Sequence, residues 1–214
     1  MHRFIVFSGL WLFWTAPAVL ALDVRITPNI ESVDVVHEGQ TITIQRNQDS
    51  QNKVAPYYAF TSRKCPPFCI QPMVIAPGVD TVGELEVLAY LARRAKGDES
   101  VLVVDTRTSQ WPKRGMIPGA VNIPWQAVDP DAADPKNVGA IFQDLFGAHH
   151  IDGKWDFSAA KTLVMYCNGM WCSQSNKMVI SLLDYGYPAK KLKWYLGGMQ
   201  NWANLGLTIV KSTN

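Results

Sequence analysis

The chain has 214 residues, 48% hydrophobic and 18% charged, with a formal net charge of +2, a balance that suits a folded globular protein and excludes disorder. It has no long basic run and no acidic tail, so the electrostatic footprint of a nucleic-acid-binding protein is missing. The expected partner is a small molecule or another protein.

Residues 1–21 read as a secretory signal peptide. Arg3 supplies the positive start, Phe4 to Leu20 the apolar stretch, and Val19-Leu20-Ala21 a small-residue cleavage site, so the mature chain is expected to begin at Leu22 in the periplasm or outside the cell. An uncleaved membrane anchor is the alternative, because Phe4 to Leu22 is nearly long enough to span a bilayer. Pro17 and the closing Ala18-Val19-Leu20-Ala21 suit processing better, and membrane association is expected only if the leader is retained. Roughly 190 residues remain after cleavage, enough for one sizeable core and a smaller appendage.

Residues 22–80 form a β-rich extension. Val33 to Val36 and Thr41 to Gln45 alternate in polarity around the turn signal His37-Glu38-Gly39-Gln40, the pattern of a hairpin. A polar loop over 46–53 and Tyr57 to Phe60 lead into Cys65-Pro66-Pro67-Phe68-Cys69-Ile70-Gln71-Pro72, which cannot be regular helix. The main domain, 81–214, opens with Thr81 and Glu84 as a capping box, and Leu85, Leu88, Ala89 and Ala92 at helical spacing as far as Gly97. Val101 to Val104 then reads as a strand buried on both faces and ending in Asp105-Thr106-Arg107. Further strands are expected at Ala120 to Ile123, Leu163 to Tyr166 and Leu192 to Leu196, alternating with helices at Val138 to Phe146, Ser173 to Leu183 and Met199 to Leu205. Such alternation predicts a three-layer α/β domain with a parallel sheet. Ligands of such sheets bind at the carboxyl ends of the strands, where Asp105 and Cys167 fall. His149 and His150, beside the turn Ile151-Asp152-Gly153-Lys154, are expected to be exposed rather than metal-binding.

Cys167 is the candidate nucleophile. It ends an apolar strand, and a short loop separates it from a helix opening at Ser173, so loop amides and the positive helix end would converge on its sulfur. An ordinary thiol has a pKa of about 8.5, and sites of this kind lower it by roughly one to several units. Export permits disulfides, and the four cysteines, Cys65, Cys69, Cys167 and Cys172, allow three connectivities. The local pairs, 65 with 69 and 167 with 172, are the natural candidates. Spacing does not decide which is oxidised.

From about Thr81 to Val210 the chain resembles a single rhodanese domain, the sulfurtransferase fold. The likeness rests on three blocks: Val103-Val104-Asp105-Thr106-Arg107 with Gly115 to Pro124, Tyr166-Cys167, and Leu196-Gly197-Gly198-Met199-Gln200-Asn201-Trp202 with Gly206-Leu207. The resemblance implies that Cys167 takes a sulfane sulfur from a small anionic donor such as thiosulfate, holds it as a persulfide and passes it to a thiol or protein acceptor, with no cofactor and no metal. It gives backbone roles in binding the anion to Asn168, Gly169, Met170, Trp171, Cys172 and Ser173, and places Asp105 and Arg107 near the entrance. There Arg107 would attract an anion or pair with Asp105. Lys113, Arg114 and Lys177 would add positive potential, and Trp111, Trp125 and Trp171 would wall a pocket. Relatives that act on phosphate have a loop longer by one residue and closed by arginine. No arginine occurs between Cys167 and Leu192, so the bidentate phosphate clamp is missing.

Two positions depart from the pattern. Met116 stands where many relatives have histidine, and Cys172 stands where many have arginine. The second change removes a cation and offers three roles for Cys172: a packed bystander, a resolving thiol for Cys167, or a metal ligand, for which no histidine accompanies it. The resolving role requires a Cα separation below about 7 Å. Cys65 and Cys69 lie outside the resemblance and are open to a structural disulfide or a redox or partner-binding role. Covalent haem attachment is excluded by their spacing and the lack of a following histidine. Two competing functions remain, a thiol–disulfide oxidoreductase using Cys167 and Cys172, and a non-catalytic binding module.

Overall fold

Val101, Val103, Val164 and Tyr166 face one hydrophobic core, while Leu102, Val104, Leu163 and Met165 face another. This period of two, with both faces apolar, is what a strand buried between two helical layers requires. The computed structural model describes residues 22–66 and 68–213; the expected leader, 1–21, lies outside them. In chain order the elements are β1 (Ser32–His37), β2 (Gln40–Gln45), β3 (Asp80–Val82), α1 (Glu84–Ala95), β4 (Val101–Asp105), β5 (Val121–Asn122), α2 (Pro135–Ala140), β6 (His149–Ile151), β7 (Lys154–Asp156), β8 (Thr162–Tyr166), α3 (Gln174–Asp184), β9 (Leu192–Tyr195) and α4 (Gly198–Asn204). The central sheet has the order β3-β9-β8-β4-β5, with every pair parallel. Helices α1 and α4 cover one face through Val87, Leu91, Met199 and Trp202. Helices α2 and α3 cover the other through Val138, Met178, Val179 and Leu182. The α/β reading is therefore correct, and the carboxyl ends of β4 and β8 lie side by side, with Asp105 opposite Tyr166.

Several local expectations need correction. Thr81 does not cap a helix: it lies in β3, opposite Trp194, and its hydroxyl donates to the Met73 carbonyl. The cap is Gly83, whose N–H donates to the Glu86 carboxylate at 2.9 Å, so the capping signal was read two residues early. Leu85 and Ala89 are exposed, and Val87, Leu88 and Leu91 form the buried face of α1. The helix expected from Val138 to Phe146 is α2 followed by a π-turn over Ile141–Leu145, with Asp134 capping the start. His149 and His150 are exposed in the hairpin of β6 and β7.

The amino-terminal hairpin forms where expected, and Glu38 and Gly39 both take positive φ at its turn (47° and 77°), the geometry that matches strand twist in a two-residue loop. It is not a detached appendage. Val35 and Ile44 are buried in the same core as Leu91 and Trp202, and Asn47 N–H donates to the Gly206 carbonyl at 2.7 Å. Among the described residues no helix is long and apolar enough to cross a membrane.

Candidate active site

Strand β8 delivers Tyr166 and then Cys167 to the carboxyl edge of the sheet, and residues 167–173 turn from there into α3. Three neighbours hold this loop. From below, α4 donates its first amides to loop carbonyls: Met199 N–H to Cys167 at 3.0 Å and Gln200 N–H to Asn168 at 2.9 Å. The approach is so close that a Cβ on Gly198 would lie 2.5 Å from the Cys167 oxygen and 2.7 Å from the Gly169 nitrogen, and Gly198 has φ of 55°. Only glycine meets both conditions without displacing the loop.

From the side, Asp105 and Arg107 anchor Asn168. The Arg107 side chain is fully buried; its Nε donates to Asp105 Oδ1 at 2.7 Å, Nη2 to Asp105 Oδ2 at 2.5 Å and to the Gly115 carbonyl at 2.7 Å, and Nη1 to Asn168 Oδ1 at 3.0 Å. Burial works against the guanidinium charge, but the Asp105 carboxylate outweighs it and holds the Arg107 pKa above its usual value. Tyr166 OH donates to Asp105 at 3.1 Å and accepts the Ile117 N–H at 3.1 Å; burial first, and then Asp105, raise its pKa. Of the two roles expected of Arg107, pairing with Asp105 is the one that forms, and the expected contact of these residues with an anion at the entrance is corrected. Neither has exposed surface, and a charge with no access to water needs its partner inside the protein. Their effect on the loop passes through Asn168, whose side chain is buried and whose Nδ2 has no hydrogen-bond partner.

From above, a segment carrying Phe68 and Gln71 lies across the loop as a strap. Phe68 forms an antiparallel bridge with Cys172, and Gln71 N–H donates to the Met170 carbonyl at 2.9 Å. The Phe68 and Trp171 rings meet edge to face at 5.0 Å, and the Arg63 guanidinium sits 3.8 Å over the Trp171 ring. Asn176 Nδ2, in α3, donates to Gln71 Oε1 at 2.9 Å. Trp171 is pinned on its other side, its indole N–H donating to Gln200 Oε1 at 2.7 Å, while Gln200 Nε2 donates to the Tyr58 carbonyl at 3.0 Å.

Both local cysteine pairs are disulfides. Cys167 and Cys172 are joined with Cα atoms 6.1 Å apart, inside the limit set above, and Cys65 and Cys69 with Cα atoms 5.1 Å apart. A bond to Cys167 removes the bystander role for Cys172. Cys167 is 2% exposed and Cys172 1%, so the thiolate expected at Cys167 belongs to the reduced chain alone. Of the six amides given to the anion cradle, that of Cys172 closes the loop internally on the Gly169 carbonyl at 2.9 Å. Met170 is the loop's exposed residue and borders a cleft of about 470 Å³ with Met73, Tyr195, Gly197 and Asn201.

The remaining cations and indoles are dispersed. Lys177 lies 4.3 Å over Trp125, and Arg114 lies over Tyr57 and Trp111 at 5.3 and 5.5 Å, so Trp171 alone of the three tryptophans belongs to the loop. Met116 is buried and bridges Val210. Among the described residues no group of three or more histidine, cysteine or acidic side chains could hold a metal. Sequence reasoning missed the side-chain role of Asn168 and the contacts of Phe68, Gln71 and Gln200. The strap has no periodicity to read, and only its two cysteines signalled it.

A family model described as Rhodanese-like domain matches residues 88–205, more than half of the chain. A search of curated proteins found no match. Among solved structures, the chain is similar to the BH2092 protein from Bacillus halodurans, with 20% identity, 62% of this chain and 77% of that one covered, and a TM-score of 0.43. It is also similar to a thiosulfate sulfurtransferase from Pseudomonas aeruginosa, with 16% identity, 64% and 21% covered, and a TM-score of 0.40. For a rhodanese with anions from E. coli the values are 20% identity, 52% and 99% covered, and a TM-score of 0.33.

Proposed function

Because the chain belongs to the rhodanese-like domain family, we propose that it is a sulfurtransferase in which reduced Cys167 carries a sulfane sulfur from a small anionic donor to a thiol acceptor. The Cys167 thiolate attacks the outer sulfur of a donor such as thiosulfate, the donor's S–S bond breaks, and sulfite leaves with the electron pair. The persulfide then yields its outer sulfur to the acceptor thiolate and regenerates the Cys167 thiolate, so one difficult transfer becomes two easier ones. The carrying observation is the placement of Cys167: it directly follows the buried strand β8, in a loop clamped from three sides, and precedes Asn168, whose Nδ2 is an unpartnered donor. Fixed donors of this kind stabilise developing negative charge without reorganising, commonly by about 3 kcal/mol each.

The Cys167–Cys172 bond supports a part for Cys172 as resolving thiol. Its thiolate attacks Cys167 Sγ in the persulfide, hydrosulfide leaves, and the disulfide forms. The same bond favours a second reading, a thiol–disulfide oxidoreductase using the pair. Export to an oxidising compartment is part of the proposal, and two disulfides within one chain agree with it. The test is thiosulfate:cyanide transfer by pre-reduced protein, expected in the wild type and lost in Cys167→Ser. Full activity in that variant would refute the assignment. Exchange of two hydrogens across the pair with no sulfur uptake would favour the second reading.

A further inference from the structure

The two disulfides lie together and differ in access. Cys167 and Cys172 are sealed from solvent beneath the strap, whereas Cys65 is exposed and Cys69 half-buried. A dithiol in solution therefore reaches the outer bond and not the inner one. The strap's pairing fixes the register between the bonds: Phe68 faces Cys172, and Gln71 is bonded to Met170. Cys69 is thus one residue along from the partner of Cys172. Facing residues of antiparallel strands stand about 4.5–5.5 Å apart and successive side chains alternate between faces, so Cys69 lies about one strand spacing from Cys172 and would reach it by a turn of the strap once the Cys65–Cys69 bond is open. A disulfide accepts Cα separations of roughly 4.4–6.8 Å.

We propose that Cys65 and Cys69 form a redox relay that carries electrons from an external dithiol to the buried Cys167–Cys172 bond. The external dithiol first reduces Cys65–Cys69 and becomes a disulfide. The Cys69 thiolate then attacks Cys172 Sγ; the Cys167–Cys172 bond breaks, a Cys69–Cys172 bond forms, and Cys167 leaves as a thiolate. Finally the Cys65 thiolate attacks Cys69 Sγ, restoring the outer disulfide and releasing Cys172. Two electrons pass from the outer pair to the inner, and the protons lost by the attacking thiols are available to the departing thiolates. In the sulfur-transfer reading the relay returns Cys167 to its active form after Cys172 has resolved the persulfide, and it depends on that reading only for the use made of the freed thiol.

The test reads thiol state rather than sulfur transfer, so its outcome is separate from that of the assigned activity. Oxidised full-chain protein is treated with dithiothreitol, quenched in acid at intervals, alkylated and mapped by peptide mass spectrometry. Cys65 and Cys69 should become alkylated before Cys167 and Cys172, and in Cys65→Ser/Cys69→Ser the inner bond should open about tenfold more slowly or worse. Equal or faster opening in that variant would overturn the relay. Cys65→Ser alone, equilibrated at mildly alkaline pH without reductant, should accumulate a peptide linked through Cys69 and Cys172, with Cys167 alkylated. An intact Cys167–Cys172 bond beside a free Cys69 would equally overturn it.

Discussion

Replacing Arg107 by methionine tests whether this residue acts as a buried anchor or as an anion contact. The substitution leaves the Asp105 carboxylate without its counter-ion where neither side chain has exposed surface, and strips a donor from both the Gly115 carbonyl and Asn168 Oδ1. Removing one partner of a buried pair costs about 3–5 kcal/mol. Against a total stability of roughly 5–15 kcal/mol this is a large share. For a chain of this size each kcal/mol moves the midpoint by about 2–4 °C, so thermal unfolding of the oxidised protein at neutral pH should show a fall of roughly 6–20 °C. Adding Asp105→Asn removes the stranded charge and should recover a measurable part of the loss, the signature of coupling between two residues in contact. A midpoint within about 2 °C of wild type, together with a raised KM for thiosulfate, would show Arg107 facing the donor and refute the buried-anchor account.

Gly198→Ala places a methyl group against the Cys167 carbonyl in a backbone conformation of positive φ. Steady-state sulfur transfer should fall by about ten- to a hundredfold through displacement of the loop, and wild-type kinetics would show that the contact does not position Cys167. Arg63→Ala removes the cation over Trp171, a contact worth about 0.5–1 kcal/mol. Hydrogen exchange at the Gln71 amide, bonded to Met170, should quicken by roughly two- to fivefold, and an unchanged rate would detach Arg63 from the strap. The Asp98 pKa is lowered to about 2 by the Ser100 hydroxyl and then by Arg93. Its folded value lies below the unfolded one, so its contribution is present above about pH 4 and lost as pH falls towards 2; NMR titration of its carboxyl should give a midpoint well below the unfolded value.

Legibility followed the range of the forces. Val101 to Asp105 and Thr162 to Tyr166 could be placed because strands buried on both faces need unbroken apolar runs, and the hairpin at Glu38-Gly39 because its turn demands positive φ. The start of α1 was misplaced because Thr81 with Glu84 satisfies a local capping pattern, while pairing with β9 claims Thr81 for the sheet. At the site, the place of Cys167 directly after β8, the loop and both cysteine pairs were legible from chain-local patterns. The burial of Asp105 and Arg107 was not, because Tyr58, which lies beside Arg107, comes from a segment distant in sequence. Asn168 was read for its amide alone, since nothing local says that a side chain 61 positions after Arg107 will accept its Nη1 proton.

The central claim is that Cys167, once reduced, is the atom that carries sulfur. Fully reduced protein is incubated with thiosulfate, freed of donor, and its intact mass and peptide map recorded without further reduction. The account predicts a gain of one sulfur atom located on Cys167 and none in Cys167→Ser; a Cys167 that gains no sulfur, or the same gain in Cys167→Ser, would contradict it.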